Sequence, residues 1–296
     1  MSSQSVTITT PRAPDIARAN RRVATIVSES GTSFGYGMKI LRRPRREAMF
    51  AIYAFCRAVD DIADAPGPVE EKLRALGDWR RSINTLYDTG RVKGPITCAL
   101  HQPIQRYALP RDEFLGMIDG MEMDVRGPIR APDWQTLKLY CRRVAGTVGL
   151  LSIRAFGAGD DPQTQEFALA LAEALQLTNI LRDIAEDAGE GRLYLPREAL
   201  VAAGIDSTEP SDVLAHPRLH EVAEAVSAQA WTDFQRADAL LEHCDRKALR
   251  PALLMLGAYE AILTRLTRRG WLRVLEPLPV SKTAKLWAGI ARGLLR

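Results

Sequence analysis

Apolar residues recur at three- and four-residue spacing along most of the chain, and the strict alternation of a half-buried strand is scarce. The segment from Arg45 to Ala63 places Met49, Ile52, Tyr53, Cys56, Val59 and Ile62 on one broad helical face. Segments around 112–124, 134–155, 164–187, 219–243 and 248–270 repeat the pattern. Breaks fall at Pro66–Gly67–Pro68, Gly94–Pro95, Gly127–Pro128, Gly157 to Pro162 and Glu209–Pro210, where glycine and proline disfavour a continuing helix. Asp112 and Asp133 each precede an apolar-periodic run and are predicted to be N-caps. The stretch 164–181 is apolar nearly all round, as a fully buried helix would be. An all-α bundle follows: a polar, mobile arm over residues 1–20 and one helical domain over 21–296.

Composition narrows the class. With 46% hydrophobic and 26% charged residues the chain is an ordinary globular protein, not a disordered or fibrous one. It has no run near the roughly 18 apolar residues of a spanning helix, and its N-terminal segment has no apolar core of a secretory signal. A cytoplasmic setting is the expectation. Four scattered cysteines with no paired spacing read as reduced core thiols, and His216 and His220, split by Pro217, make a poor zinc site.

The formal charge of +4 is unevenly spread. Residues 1–46 carry nine Lys/Arg against two acids, and residues 246–296 carry eleven against two. No nucleic-acid-binding motif accompanies them. Such ends suit solvated helix faces, an anionic membrane surface or a phosphorylated substrate. The terminal stretch from Arg265 to Arg296 mixes basic residues with Trp271, Leu272, Leu275 and Trp287, which fits a packed helix first and a peripheral contact at the inner membrane surface second.

Chemistry concentrates in two acidic clusters, Tyr53-Ala-Phe-Cys-Arg57-Ala-Val-Asp60-Asp61-Ile-Ala-Asp64 and Gln176-Leu-Thr-Asn179-Ile-Leu-Arg182-Asp183-Ile-Ala-Glu186-Asp187. In each, aspartates at i and i+4 leave one helix face about 6 Å apart along the axis. Two carboxylates on an apolar helix demand positive charge. Arginines alone could meet that demand in one cluster. Two clusters sharing the acidic pair, the arginine and the apolar frame point instead to a divalent cation. Oxygen donors without Cys or His favour Mg²⁺, which commonly joins one or two carboxylates to a substrate phosphate. Arg57 and Arg182 would serve as diphosphate donors. Asp61 lies roughly 100° round the helix from the Asp60/Asp64 face and is expected to support Arg57. A diphosphate at one end of an apolar cavity is the arrangement that isoprenoid carbocation chemistry needs.

These clusters resemble the signatures of the squalene and phytoene synthase family, the head-to-head prenyltransferases. The resemblance rests on AIYAFCRAVDDIAD, LTNILRDIAEDAGEGRLYLP, the intervening YCRRVAGTVGLL (Tyr140 to Leu151) and SGTSFGY (Ser30 to Tyr36), and it covers about residues 28 to 290. It implies an all-α isoprenoid-synthase bundle with a central apolar cavity. Within the family, MKILRRPRREAMFAIYAFCRAVDDIAD, IDGMEMDV (Ile118 to Val125), ALRPALLM and LPVSKTAKLW look most like the bacterial hopanoid-pathway members that make presqualene diphosphate.

Carried over residue by residue, the resemblance implies Mg²⁺ contacts at Asp60, Asp64, Asn179, Asp183 and Asp187. It implies substrate or diphosphate contacts at Ser30, Ser33, Phe34, Tyr53, Arg57, Gln176, Arg182 and Tyr259. Tyr140, Val144, Val148 and Gly149 would line the cavity, with Tyr53 and Tyr140 among the catalytic groups. Some relatives have histidine where this chain has Ser30. The implied reaction joins two farnesyl diphosphates to presqualene diphosphate, in squalene and hopanoid biosynthesis, ahead of downstream squalene-pathway enzymes. NADPH is not expected. Released diphosphate or a tyrosine hydroxyl could take the proton. Arg192 to Leu200, following Gly189 and Gly191, suggests a loop over the cavity mouth. Phytoene synthase, a complete squalene or dehydrosqualene synthase, and a non-catalytic scaffold member remain the alternatives.

Overall fold

A computed structural model describes residues 11–30 and 34–277, with backbone only at 34–36. Thirteen α-helices run through these residues. The first six are α1 (Ala13–Glu29), α2 (Phe34–Lys39), α3 (Arg43–Asp64), α4 (Val69–Thr89), α5 (Pro95–Tyr107) and α6 (Arg111–Arg126). The rest are α7 (Trp134–Cys141), α8 (Thr147–Phe156), α9 (Pro162–Gly189), α10 (Arg197–Ala202), α11 (Pro210–Ala215), α12 (Leu219–Leu240) and α13 (Arg250–Arg269). The described residues include no strand; an isolated bridge joins Arg130 and Leu193.

Helix limits follow local chemistry. Asp161 caps α9 by accepting from the Thr164 N–H at 3.0 Å, and Pro162 occupies the first turn, where its missing N–H costs nothing. Asp133 caps α7 in the same way at 2.6 Å. Asp112 does not cap α6. That helix starts one residue earlier, after Pro110, and Asp112 sits in the first turn, where its charge suits the helix dipole. Gly90 ends α4 in the left-handed region at φ 67°.

Two expectations about extent change. α1 begins at Ala13, inside the stretch expected to be an arm. Its Ala19, Val23 and Val27 form a buried stripe in the same apolar cluster as α3 and α5. The helix expected over 134–155 is interrupted by five residues of π-helix, Arg142–Gly146, between α7 and α8.

The apolar interior has two bodies. One gathers α1 and α3 to α6, with Phe55 edge-on to Trp79 and Phe114 at centroid distances of 5.6 and 5.1 Å. The other gathers α7 and α9 to α13 around Phe167, Leu181 and Phe234. α8 belongs to both: Leu150 and Ile153 pack into the second body, Leu151 and Phe156 into the first.

Small residues let these helices approach. A Cβ on Gly149 of α8 would lie 3.0 Å from the backbone oxygen of Ala168 in α9. One on Gly120 of α6 would lie 2.8 Å from Val144 Cγ1. The carbonyl cannot move aside without shifting α9. Gly149→Val should therefore lower stability by about 1–3 kcal/mol in urea unfolding, with Gly149→Ala milder; an unchanged midpoint would remove this contact from the account.

Candidate active site

Between the two apolar bodies lies a cavity of about 310 Å³. Met38, Met49, Met117 and Phe156 come from one side, and Phe167, Leu171, Leu175 and Met255 from the other. Polar groups gather at one end: Tyr53, Arg57 and Asp60 on α3, Gln176 and Asn179 on α9, and Tyr259 on α13. Among the described residues, Arg57 and Asp60 are the only charged side chains of the lining. The rest of both acidic clusters continues from this end, because α3 and α9 each carry their aspartates one to two turns further along.

The structure distributes the arginines unequally among these acids. Arg57 holds Asp61 at 2.6 Å, as its place on the helix suggests, and stands 3.8 Å from Asp60. Arg182 grips both oxygens of Asp183, at 2.7 and 2.5 Å, and lies near Tyr259. Asp64 is taken by Arg192, at 2.7 Å, from the chain that follows α9. That leaves Asp187 with no ion pair among the described residues and Asp60 with only the long contact.

The consequence is electrostatic. Burial and the nearby Asp64 push the Asp60 carboxyl up to about 6, and burial and Asp183 push Asp187 up to about 7. Asn179 adds a third deficit. Its Nδ2 donates to Gln176 at 3.5 Å, while its buried Oδ1 has no partner among the described residues. Two undercompensated carboxylates and an orphaned amide oxygen on α3 and α9 are donors of the kind that a hard cation takes. Among the described residues no three His, Cys, Asp or Glu side chains converge as a closed protein cage would. A cation there would need water or substrate oxygens to complete its shell, which is how Mg²⁺ is usually held.

Not every residue falls in its expected place. Val144, Val148 and Gly149 line the cavity. Tyr140 stands beside it and not on the lining. It is 6% exposed, its ring stacked on Tyr194 at 4.9 Å and its hydroxyl donating to Asp124 at 3.0 Å. Ser30 lies exposed at the end of α1, its hydroxyl donating to the Val27 carbonyl. Ser33 and the Phe34 side chain lie outside the described residues. His216 and His220 engage neighbouring backbone, at Arg218 N and Pro217 O, and the four cysteines are unpaired.

Asp124, Arg192 and Tyr194 were not anticipated. Asp124 accepts from Tyr140 and, at 2.7 Å, from Tyr194. The IDGMEMDV segment was visible, but a lone aspartate on an amphipathic helix gives no sign of what it will face. The Arg192–Leu200 segment does reach across to α3 through Arg192, but it is strapped down. Leu193 exchanges backbone bonds with Ile129 and Ala131, and Leu193, Tyr194 and Leu195 are buried.

The sequence matches the squalene/phytoene synthase family over residues 27–284. The chain belongs to that family, whose members are prenyltransferases. A presqualene diphosphate synthase from Sinorhizobium fredii is 44% identical over 93% of this chain and 96% of its own length. One from Zymomonas mobilis is 44% identical over 89% and 90%. A chloroplastic phytoene synthase from Zea mays is 32% identical over 92% of this chain and 67% of its own. A dehydrosqualene synthase crystal structure superposes with a TM-score of 0.80 at 23% identity, covering 93% of this chain and 95% of the other, which shows the shared all-α fold. A squalene synthase from Alicyclobacillus acidocaldarius superposes at 0.76 with 26% identity, over 90% and 96%.

Two outcomes are expected from the charge balance. Asp187 binds its proton more tightly folded than unfolded, where its value is ~3.9, so ionising it lowers stability as pH climbs from about 4 through 7. In chelator-treated protein, Asp187→Asn should match wild type near pH 4.5 and exceed it at pH 8 in chemical unfolding. A gap that stays constant with pH would refute this balance. Asp124→Ala removes the acceptor of the buried Tyr194 hydroxyl and leaves Tyr140 only its 3.3 Å bond to Tyr194, and should cost about 1–3 kcal/mol, more than Tyr194→Phe in the same assay.

Proposed function

We propose that this chain condenses two farnesyl diphosphates to presqualene diphosphate with release of diphosphate, serving squalene and hopanoid biosynthesis. The observation that carries the proposal is one apolar cavity whose charge is confined to a single end, where two acidic helices face each other short of positive charge. The 44% identity to presqualene diphosphate synthases over nearly full length supports this product over the 32% likeness to a phytoene synthase.

Asp60, Asp64, Asn179, Asp183 and Asp187 would hold Mg²⁺. Bound there, Mg²⁺ would act as a Lewis acid that neutralises the departing diphosphate. Arg57, Arg182 and Gln176 bind and orient the diphosphates at the same end. The two isoprenoid chains lie along the apolar walls, which keep water from a carbocation that it would otherwise quench to an alcohol. The donor's C1–O bond breaks to diphosphate, and the resulting allylic cation adds to the C2–C3 double bond of the second molecule. Loss of one proton closes the cyclopropane. The ring faces of Tyr53 and Tyr259 can each stabilise the cation by on the order of 1–2 kcal/mol in a dry site. Tyr140, fixed by Asp124 and stacked on Tyr194, holds its hydroxyl proton beside the cavity.

Purified protein given farnesyl diphosphate and Mg²⁺ should accumulate a C30 monodiphosphate by mass spectrometry, with or without NADPH. A C30 hydrocarbon would make it a complete synthase, and C40 phytoene from the C20 diphosphate would make it a phytoene synthase. No product from either substrate would leave a scaffold. Separately, Mg²⁺ with inorganic diphosphate should raise the thermal midpoint of wild type and not of Asp60→Ala or Asp187→Ala; equal shifts in all three would exclude these ligands. Turnover should fall on the order of a hundredfold or more in Asp183→Asn, read in single-turnover assays.

A further inference from the structure

The end of the helical frame away from the aspartates has a charge pattern of its own. α3 spans the distance: Asp60 stands at the polar end of the cavity, Met49 lies deep in it, and Arg45 in the first turn is ~22 Å from Asp60 along the axis. Beside that first turn lies a separate surface pocket of about 640 Å³, bordered by Arg42, Arg45, Arg106, Lys247, Tyr107 and Asp245. Gly157 at φ 71° completes the wall. A Cβ there would meet the Arg45 guanidinium at 2.5 Å, so the glycine leaves room for that cation to lie across the pocket.

None of these four cations has an ion pair among the described residues, although arginines next to them do. Arg43 pairs with Glu47 and Arg154 with Asp160. Arg106 has the Tyr107 ring at 5.7 Å. Asp245 is the one carboxylate of the lining, and its Oδ1 already accepts from the backbone N–H groups of Lys247 and Ala248 at 2.9 and 3.1 Å. Four cations therefore share a concave site with one partly engaged carboxylate, and an anion from outside would relieve their mutual repulsion. Ile40, two residues before Arg42, is 54% exposed, an apolar side chain placed next to the charges. An exposed aliphatic group beside open, unpaired basic groups suits a bilayer surface better than a small soluble anion.

We propose that Arg42, Arg45, Arg106 and Lys247 bind the phosphate headgroups of anionic lipid, seating the end of the bundle opposite the aspartates on a membrane surface. The site is independent of the reaction assigned above. No helix of the described residues is long and apolar enough to cross a bilayer, so this contact is peripheral.

Co-sedimentation of the full chain with phosphatidylcholine vesicles tests it, using vesicles with and without about 30% phosphatidylglycerol in about 0.1 M salt. Wild type should bind the anionic vesicles alone. Arg42→Gln/Arg45→Gln/Lys247→Gln should lower the partition coefficient about tenfold or more. A charge-matched variant at three exposed arginines outside the pocket, Arg74→Gln/Arg91→Gln/Arg197→Gln, should lower it far less. Thermal midpoints equal to wild type establish that both variants fold. Equal losses in the two variants, or undiminished binding by the pocket variant, would overturn the proposal. So would wild type that ignores vesicles, whether or not calorimetry with inorganic diphosphate then finds a pocket-dependent site for a free anion.

Discussion

Carboxylates outnumbering their cations at one end of a greasy gap is the constraint on which the rest of this molecule depends. Asp60 and Asp187 stand on different helices and neither has a close ion pair. Each repels a like charge on its own helix, Asp60 with Asp64 and Asp187 with Asp183, and positive charge must offset this. Three arginines do so in part. Arg182 neutralises Asp183 within its own helix, Arg57 anchors on Asp61, and Arg192 reaches from the end of α9 to Asp64 on α3. Arg192 thus supplies the ion pair that joins the two walls. The remaining negative charge suits a cation carried with the substrate, and binding such a cation would relieve stress already built into the fold.

The cavity is the other half of the same design. Two apolar bodies that packed fully against each other would leave no room, and full separation would leave two small cores. α8 resolves this by belonging to both, with Gly149 holding it close to α9 and Gly120 admitting the π-helical turn to α6. The gap persists between walls to which α3 and α9 both contribute, lined by methionine and aliphatic side chains of flexible shape. Charge is confined to the end where those helices present their aspartates. The Asp124–Tyr140–Tyr194 network closes the flank with every hydroxyl bonded.

Helical content, the two acidic helices and the family were legible from residue order because each rests on short-range periodicity. Aspartates four apart share a face whatever surrounds them, and Asp133 caps the next helix through a bond three residues away. The beginning of α1 was missed because residues 13–20 carry one large apolar side chain, Ile16, among small and polar ones, and the interruption at Arg142–Gly146 because a π-turn leaves the apolar pattern almost intact.

The sequence by itself determined which residues carry charge on which helices, and hence the chemistry that the chain can perform. Only the tertiary structure decided which carboxylates were neutralised. Arg192 meets Asp64 across 128 positions, Tyr194 meets Asp124 across 70, and Tyr140 turns from the cavity toward that aspartate. Partners so far apart in the chain meet only through the packing of whole helices. No local spacing encodes them, so the residual charge that defines the site exists only once the fold has closed.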